Sequence, residues 1–200
     1  MDAAVRLDTK SAQEEGHKSS PATIPAILVW PALMVAFLAT VGSLWLSIGM
    51  GLKACPLCFY QRTFAMSVLG ALGIGVLTGT RHRNVLSVLA LPMAVGGFGV
   101  AAFHVSLELT GKLECPPGVM GLGTAPQQSL IIFLLLLVLV SLAAVRAGTL
   151  GEPRMGVSLA AFALGGLFAV GAVVSAPPMP APPTKAYETP LEICRPPFRP

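Results

Sequence analysis

Five stretches of this chain, at about 26–49, 59–79, 84–108, 127–146 and 156–175, are apolar over twenty or more residues. At ~1.5 Å rise per residue each is long enough to cross a hydrocarbon layer of ~30 Å as a helix. The expected fold is therefore all-α, a polytopic membrane helix bundle. Composition agrees: 54% of the residues are hydrophobic, 11% are charged and the mean hydropathy is +0.76, which no ordinary soluble globule matches. The first stretch is too long for a signal-peptide core and lacks a small-x-small cleavage site near its end, so it reads as a retained first span. The fifth, LAAFALGGLFAVGAVV, is rich in Gly and Ala but carries no charge.

The formal charge of +4 does not point to a nucleic-acid partner, because no basic run alternates with aromatics and the cations sit at the ends of apolar segments. Arg81-His82-Arg83 joins the second and third segments, and Arg146 and Arg154 lie between the fourth and fifth. The segments at 50–58 and 111–126 carry only Lys53 and Lys112. By the positive-inside rule the amino-terminal side is cytoplasmic. Residues 1–24 then form a cytoplasmic polar tail, 25–176 the transmembrane bundle, and 177–200 a proline-rich tail on the outer side. Pro31 and Pro92 are candidate kinks, and the small residues of GALGIGVLTG and VGGFGVAAF would let neighbouring backbones approach closely.

Chemistry concentrates in residues 55–62, CPLCFYQR. Two cysteines one helical turn apart can form a short-range disulfide. Pro56 suits the first position of a helix starting near Cys55, which puts Cys58 in a first turn whose free N–H groups and dipole favour a thiolate. Arg62, four residues beyond Cys58, belongs on the same helix face. Spacing alone also permits a structural disulfide or half of a zinc site.

On the five-span topology Cys55 and Cys58 precede the second helix, Cys115 follows the third and Cys194 follows the fifth, so all four face outward. With fewer than five crossings Cys194 would face the reducing cytoplasm. Four cysteines allow three pairings. The favoured one is Cys55 with Cys58 and Cys115 with Cys194, since about 18 proline-rich residues after Ala176, at ~3.1 Å each, reach across a small bundle.

CPLCFYQR followed by an apolar helix, a short Arg-rich turn, a third helix ending in FHVSLEL and a cysteine-bearing loop resembles the DsbB family of quinone-reducing disulfide bond formation proteins, over roughly residues 26–147. The resemblance implies a four-helix core, here with a fifth transmembrane helix added, in a bacterial inner membrane with the cysteines on the periplasmic side. It makes Cys55 and Cys58 the membrane-proximal redox pair, with Cys58 facing a quinone, ubiquinone or menaquinone. Gln61, Arg62 and His104 would line that quinone site; an interfacial histidine bonded to backbone or headgroups is the alternative reading of His104. Better-known members have four helices and both cysteines of the second pair in one loop. This loop, ECPPGVMGLGTAPQQS, has only Cys115, and Cys194 is the replacement.

The implied activity is an exchange chain that supports protein folding. A reduced, soluble thioredoxin-like oxidase of the DsbA kind attacks Cys115–Cys194, Cys55–Cys58 reoxidises that pair, and Cys58 passes two electrons to quinone. No metal is needed. Glu108 and Glu114 are expected to be solvated, and Gln127 and Gln128 to end the loop. Two rivals remain: a vitamin K epoxide reductase-like protein, in which the redox C-x-x-C follows the loop cysteines instead of preceding them, and a metal-binding or structural membrane protein whose four thiolates collect zinc or copper.

Overall fold

The computed structural model describes residues 23–78, 80–148, 155–178 and 180–198. They form five long helices: α1 Thr23–Ile48, α2 Pro56–Leu77, α3 Thr80–Leu109, α4 Ala125–Gly148 and α5 Met155–Ser175, with a short 3-10 turn at Val119–Gly121. All five are long and apolar enough to cross a membrane, the Gly/Ala-rich fifth included. Strands are absent among the described residues apart from isolated bridges. The polar tail expected over 1–24 lies almost wholly outside these residues, as do Arg154 and Arg199.

The starts of the helices follow from local chemistry. Cys55 is the N-cap of α2 in an extended conformation (φ −70°, ψ 162°), Pro56 takes the first turn, and the Cys58 N–H donates to the Cys55 Sγ at 3.2 Å. At the far end the Thr78 hydroxyl and N–H both return to the Ile74 carbonyl.

α3 is the central helix, packed against α2, α4 and α5, while α1 closes the other side against α2 and α4. Val68 and Leu72 of α2, Leu91 and Ala94 of α3, and Phe133, Leu136 and Val140 of α4 fill the core, with Ala32 and Ala36 of α1. Large apolar side chains such as Trp30, Phe37, Leu135 and Leu167 point outward, as lipid-facing surfaces require. In lipid the packing contacts themselves must hold helices together, and small residues make them close. A Cβ on Gly165 of α5 would lie 2.5 Å from Val95 Cβ and 2.7 Å from the Pro92 carbonyl, and one on Gly97 would collide with the Phe133 ring. VGGFGVAAF thus forms the seam that was expected. GALGIGVLTG meets the expectation only in part: Gly75 is buried and Ala71 packs on the core, whereas Gly70 and Gly73 have nothing within 4 Å of an added Cβ. α3 runs unbroken through Pro92, and α1 through Pro31.

The tail after α5 turns back over the end of the bundle. Glu114 and Arg195 form an antiparallel bridge through Glu114 N–H to Arg195 O (2.8 Å) and Arg195 N–H to Glu114 O (3.0 Å). The Lys53 N–H donates to Glu192 O at 2.9 Å. This positions the last cysteine.

Candidate active site

The α2 start, the α3 end and the returning tail meet at one end of the bundle and bring all four cysteines together. Cys115 and Cys194, 79 residues apart, are joined in a disulfide, and Cys55 and Cys58 are free thiols with their sulfurs 2.7 Å apart. The sulfurs of Cys55, Cys58 and Cys194 and a ring nitrogen of His104 all lie within 4.8 Å of one another. Cys55 and Cys115 are buried, whereas Cys58 and Cys194 are half-buried.

The helix start serves Cys55 more than Cys58. The neighbouring Cys58 thiol, 2.7 Å away sulfur to sulfur, the His104 imidazole and the Cys58 N–H that Cys55 accepts as N-cap together outweigh burial and hold the Cys55 thiol well below its usual range, down to about 5. The thiolate expected at Cys58 is not found there: the donors of the helix start serve Cys55 instead, because an N-cap side chain receives the N–H groups that a first-turn side chain only carries.

His104 is 0% exposed. Its Nε2 lies 3.5 Å from Cys115 Sγ and 3.9 Å from Cys55 Sγ, so it stands between the two pairs, and Gln61 Nε2 lies 3.4 Å from its Nδ1. Gln61 is itself buried. The interfacial alternative for His104 gives way to an enclosed imidazole whose neighbours are sulfur and an amide. Gln61 therefore orients an imidazole in this structure; the motif gave only its proximity to the cysteines.

Arg62 sits one turn beyond Cys58, half-buried between α2 and α1. Its Nε donates to Ser43 Oγ (2.9 Å), and its Nη2 to Ser43 O (2.8 Å) and Ser47 Oγ (2.6 Å). Among the described residues Nη1 has no hydrogen-bond partner. Ser43 and Ser47 were not anticipated; their spacing of four on a helix whose only other hydroxyls are Thr23 and Thr40 is the signal that would have marked them.

The loop and tail carry further residues that sequence reasoning passed over. Gln128 grips the loop with bonds to Val119 N, Val119 O and Leu122 O, which ends the loop as expected. Glu114 is not merely solvated: it receives Arg195 Nε at 2.8 Å, and Tyr187 covers the Arg195 guanidinium at 3.7 Å. Glu108 accepts the Thr124 hydroxyl at 2.8 Å. Such pairings of residues far apart in the chain leave no local sequence signal. A cleft of about 410 Å³ opens between Phe103 and Leu107 of α3, Val173 of α5 and Pro177, with Cys55 and Cys194 in its wall.

A family model for disulfide bond formation protein DsbB matches residues 25–131, more than half of the chain. The chain belongs to the DsbB family. The matched part contains Cys55, Cys58, Gln61, Arg62, His104 and Cys115, whereas α5 and Cys194 lie beyond it. Similar proteins include disulfide bond formation protein B of Cupriavidus pinatubonensis, 36% identical over 42% of this chain and 53% of its own length. Disulfide bond formation protein B 1 of Pseudomonas aeruginosa is 40% identical over 42% of this chain and 55% of its own. A probable disulfide formation protein of Chlamydia trachomatis is 29% identical over 51% of this chain and 81% of its own. The chain thus spans about half the length of the first two relatives. No solved structure matches it.

Proposed function

We propose that this protein is a membrane thiol–disulfide oxidoreductase that reoxidises a soluble periplasmic thioredoxin-like oxidase and passes the electrons to a membrane quinone. The observation that carries the reading is the convergence of both cysteine pairs on His104, with Cys194 Sγ within 4.8 Å of Cys55 and Cys58 Sγ.

The exchange is balanced in three steps. The partner's dithiol opens Cys115–Cys194, leaving two thiols there and a disulfide on the partner. Those thiols reduce a Cys55–Cys58 disulfide and close their own bond. The Cys55–Cys58 dithiol then gives up two electrons and two protons. Reduced Cys55–Cys58 beside closed Cys115–Cys194, the state in the structure, is the one after the second step. Half-exposed Cys194, in the wall of the outer cleft, offers an incoming thiolate a sulfur to attack. His104 Nε2, near Cys115 and Cys55, is placed to hold a proton as thiols and thiolates interchange.

The residues near Cys58 fit a quinone. The spare Nη1 of Arg62 is a charged donor on a half-buried guanidinium fixed by Ser43 and Ser47, suited to a carbonyl oxygen that gains negative charge. A bound quinone supplies the two-electron acceptor. Cys58 and Arg62 would hold it, with Gln61 and His104 forming the polar side of the site.

The Cys194→Ser variant tests the scheme. Oxidation of a soluble thioredoxin-like partner should stop, while added quinone still oxidises Cys55 and Cys58, because that pair is chemically separate. Partner oxidation at near the original rate would overturn the role of Cys194.

A further inference from the structure

The cysteine end gathers soft donors from both redox pairs and from His104. Cys55, Cys58 and Cys194 Sγ and a His104 ring nitrogen, three sulfurs and one imidazole, share a space in which no two are more than 4.8 Å apart. Around zinc, bonds of about 2.3 Å to sulfur and about 2.0–2.1 Å to nitrogen give tetrahedral edges of about 3.8 Å between sulfurs and about 3.6 Å between sulfur and nitrogen. His104 Nε2 and Cys55 Sγ, at 3.9 Å, already stand near such an edge. The 2.7 Å between Cys55 and Cys58 Sγ must open by about 1 Å, within reach of a rotation about the Cys58 side-chain bonds.

In the oxidised second pair Cys194 is bonded to Cys115 and is not a thiolate ligand. Opening that bond frees it without releasing it from the site. The Glu114–Arg195 bridge, the Arg195–Glu114 ion pair at 2.8 Å and the Lys53–Glu192 backbone bond at 2.9 Å hold the tail on either side of Cys194 independently of the disulfide.

We propose that full reduction turns this cluster into a soft-metal site in which Cys55, Cys58, Cys194 and His104 hold one zinc-class divalent cation and thereby arrest thiol–disulfide exchange. The binding rests on the geometry alone; the arrest rests on the oxidoreductase reading above. A dithiol or phosphine opens Cys115–Cys194, is itself oxidised and leaves two thiols. The cation then binds three thiolates, displacing the protons of those still protonated, without any change of oxidation state. The resulting three-thiolate, one-imidazole complex carries one negative charge, and Arg62, one turn along α2 from Cys58, is the cation on hand to offset it. A protein left fully reduced for want of an electron acceptor would be capped by the metal, and reoxidation would expel it.

The test uses the full-length protein in detergent, reduced with a phosphine and titrated with cobalt(II) as a spectroscopic stand-in for zinc. Reduced protein should take up one cobalt, with a thiolate-to-cobalt charge-transfer band, intense visible bands of tetrahedral cobalt and proton release; zinc should displace the cobalt and abolish the bands without proton uptake. Protein with Cys115–Cys194 closed, which keeps three of the four ligands, should bind at least about tenfold more weakly. Cys194→Ser should lose at least about tenfold in affinity, whereas Cys115→Ser, which keeps all four ligands and lacks the disulfide, should bind once Cys55 and Cys58 are reduced. Absence of the bands in reduced protein, equal binding by the oxidised form, or equal loss in both serine variants would overturn the site. Zinc should also slow turnover more as the reduced fraction rises; cobalt binding without that slowing would overturn the arrest alone. Because binding is read by absorbance, its failure is distinguishable from failure of the oxidoreductase reading.

Discussion

Arg195 is the main non-covalent anchor of Cys194, and replacing it with alanine should make the Cys115–Cys194 disulfide easier to reduce. Its Nε meets Glu114 Oε1 at 2.8 Å, with side-chain exposures of 17% for Arg195 and 37% for Glu114, and its guanidinium lies 3.7 Å from the Tyr187 ring centroid. A charge-assisted bond is worth about 1.5–3 kcal/mol, which partial exposure cuts to about 1 kcal/mol. The cation–π contact adds about 0.5 kcal/mol. The backbone bridge at Glu114 survives the substitution, so the loss is about 1.5 kcal/mol, close to tenfold in the local concentration of one thiol at the other. For a two-electron couple that is a ceiling of about 30 mV toward less negative potential, approached as the reduced tail comes to depend on this anchor. Equilibration in dithiol redox buffers, followed by alkylation and mass measurement of the Cys115 and Cys194 peptides, reads the shift. An unchanged potential would show that the anchor does not hold the reduced tail. A more negative one would reverse the sign and refute the reasoning.

The remaining predictions concern other parts of the molecule. With the Cys55 pKa lowered from 9.0 to about 5, chiefly by the Cys58 thiol, alkylation of reduced Cys55 should be flat down to about pH 6 and halve near pH 5. Cys58→Ala should move that midpoint up, and a wild-type rate that already falls between about pH 9 and 8 would remove the depressed thiolate. The same depression contributes stability that is complete above about pH 9 and is lost as pH falls through about 5, which thermal melts of the reduced protein would register. Arg62→Lys keeps the charge but not the fork on Ser43 and Ser47, so the quinone KM should rise severalfold while the protein still inserts; unchanged KM and kcat would take Arg62 out of the site. Gly165→Leu should cost about 1–3 kcal/mol by forcing α5 off Val95 and Pro92, whereas Gly166→Ala, facing open space, should leave the melting temperature in detergent nearly unchanged.

Much of the scaffold was legible because a bilayer acts on each segment separately. Length and hydropathy suffice to set five spans, and Pro56 with Cys55 suffices to start α2, since both are decided within a few residues. The site was legible only as a roll of candidates. Helices that are apolar nearly all round carry no strong stripe to say which face turns inward, so Gly70 and Gly73 could not be told from the packed glycines of α3. Only the packed bundle decided that Arg62 is fixed by Ser43 and Ser47 of α1, and that His104 sits between two cysteine pairs with Gln61 behind it. The tail is the extreme case. Glu114 and Arg195 lie 81 residues apart, and their pairing, which seats Cys194, exists only once α3 and α5 have brought their ends together. Local preferences act over a turn or two of chain, whereas contacts across such distances are set by which surfaces the assembled helices leave adjacent.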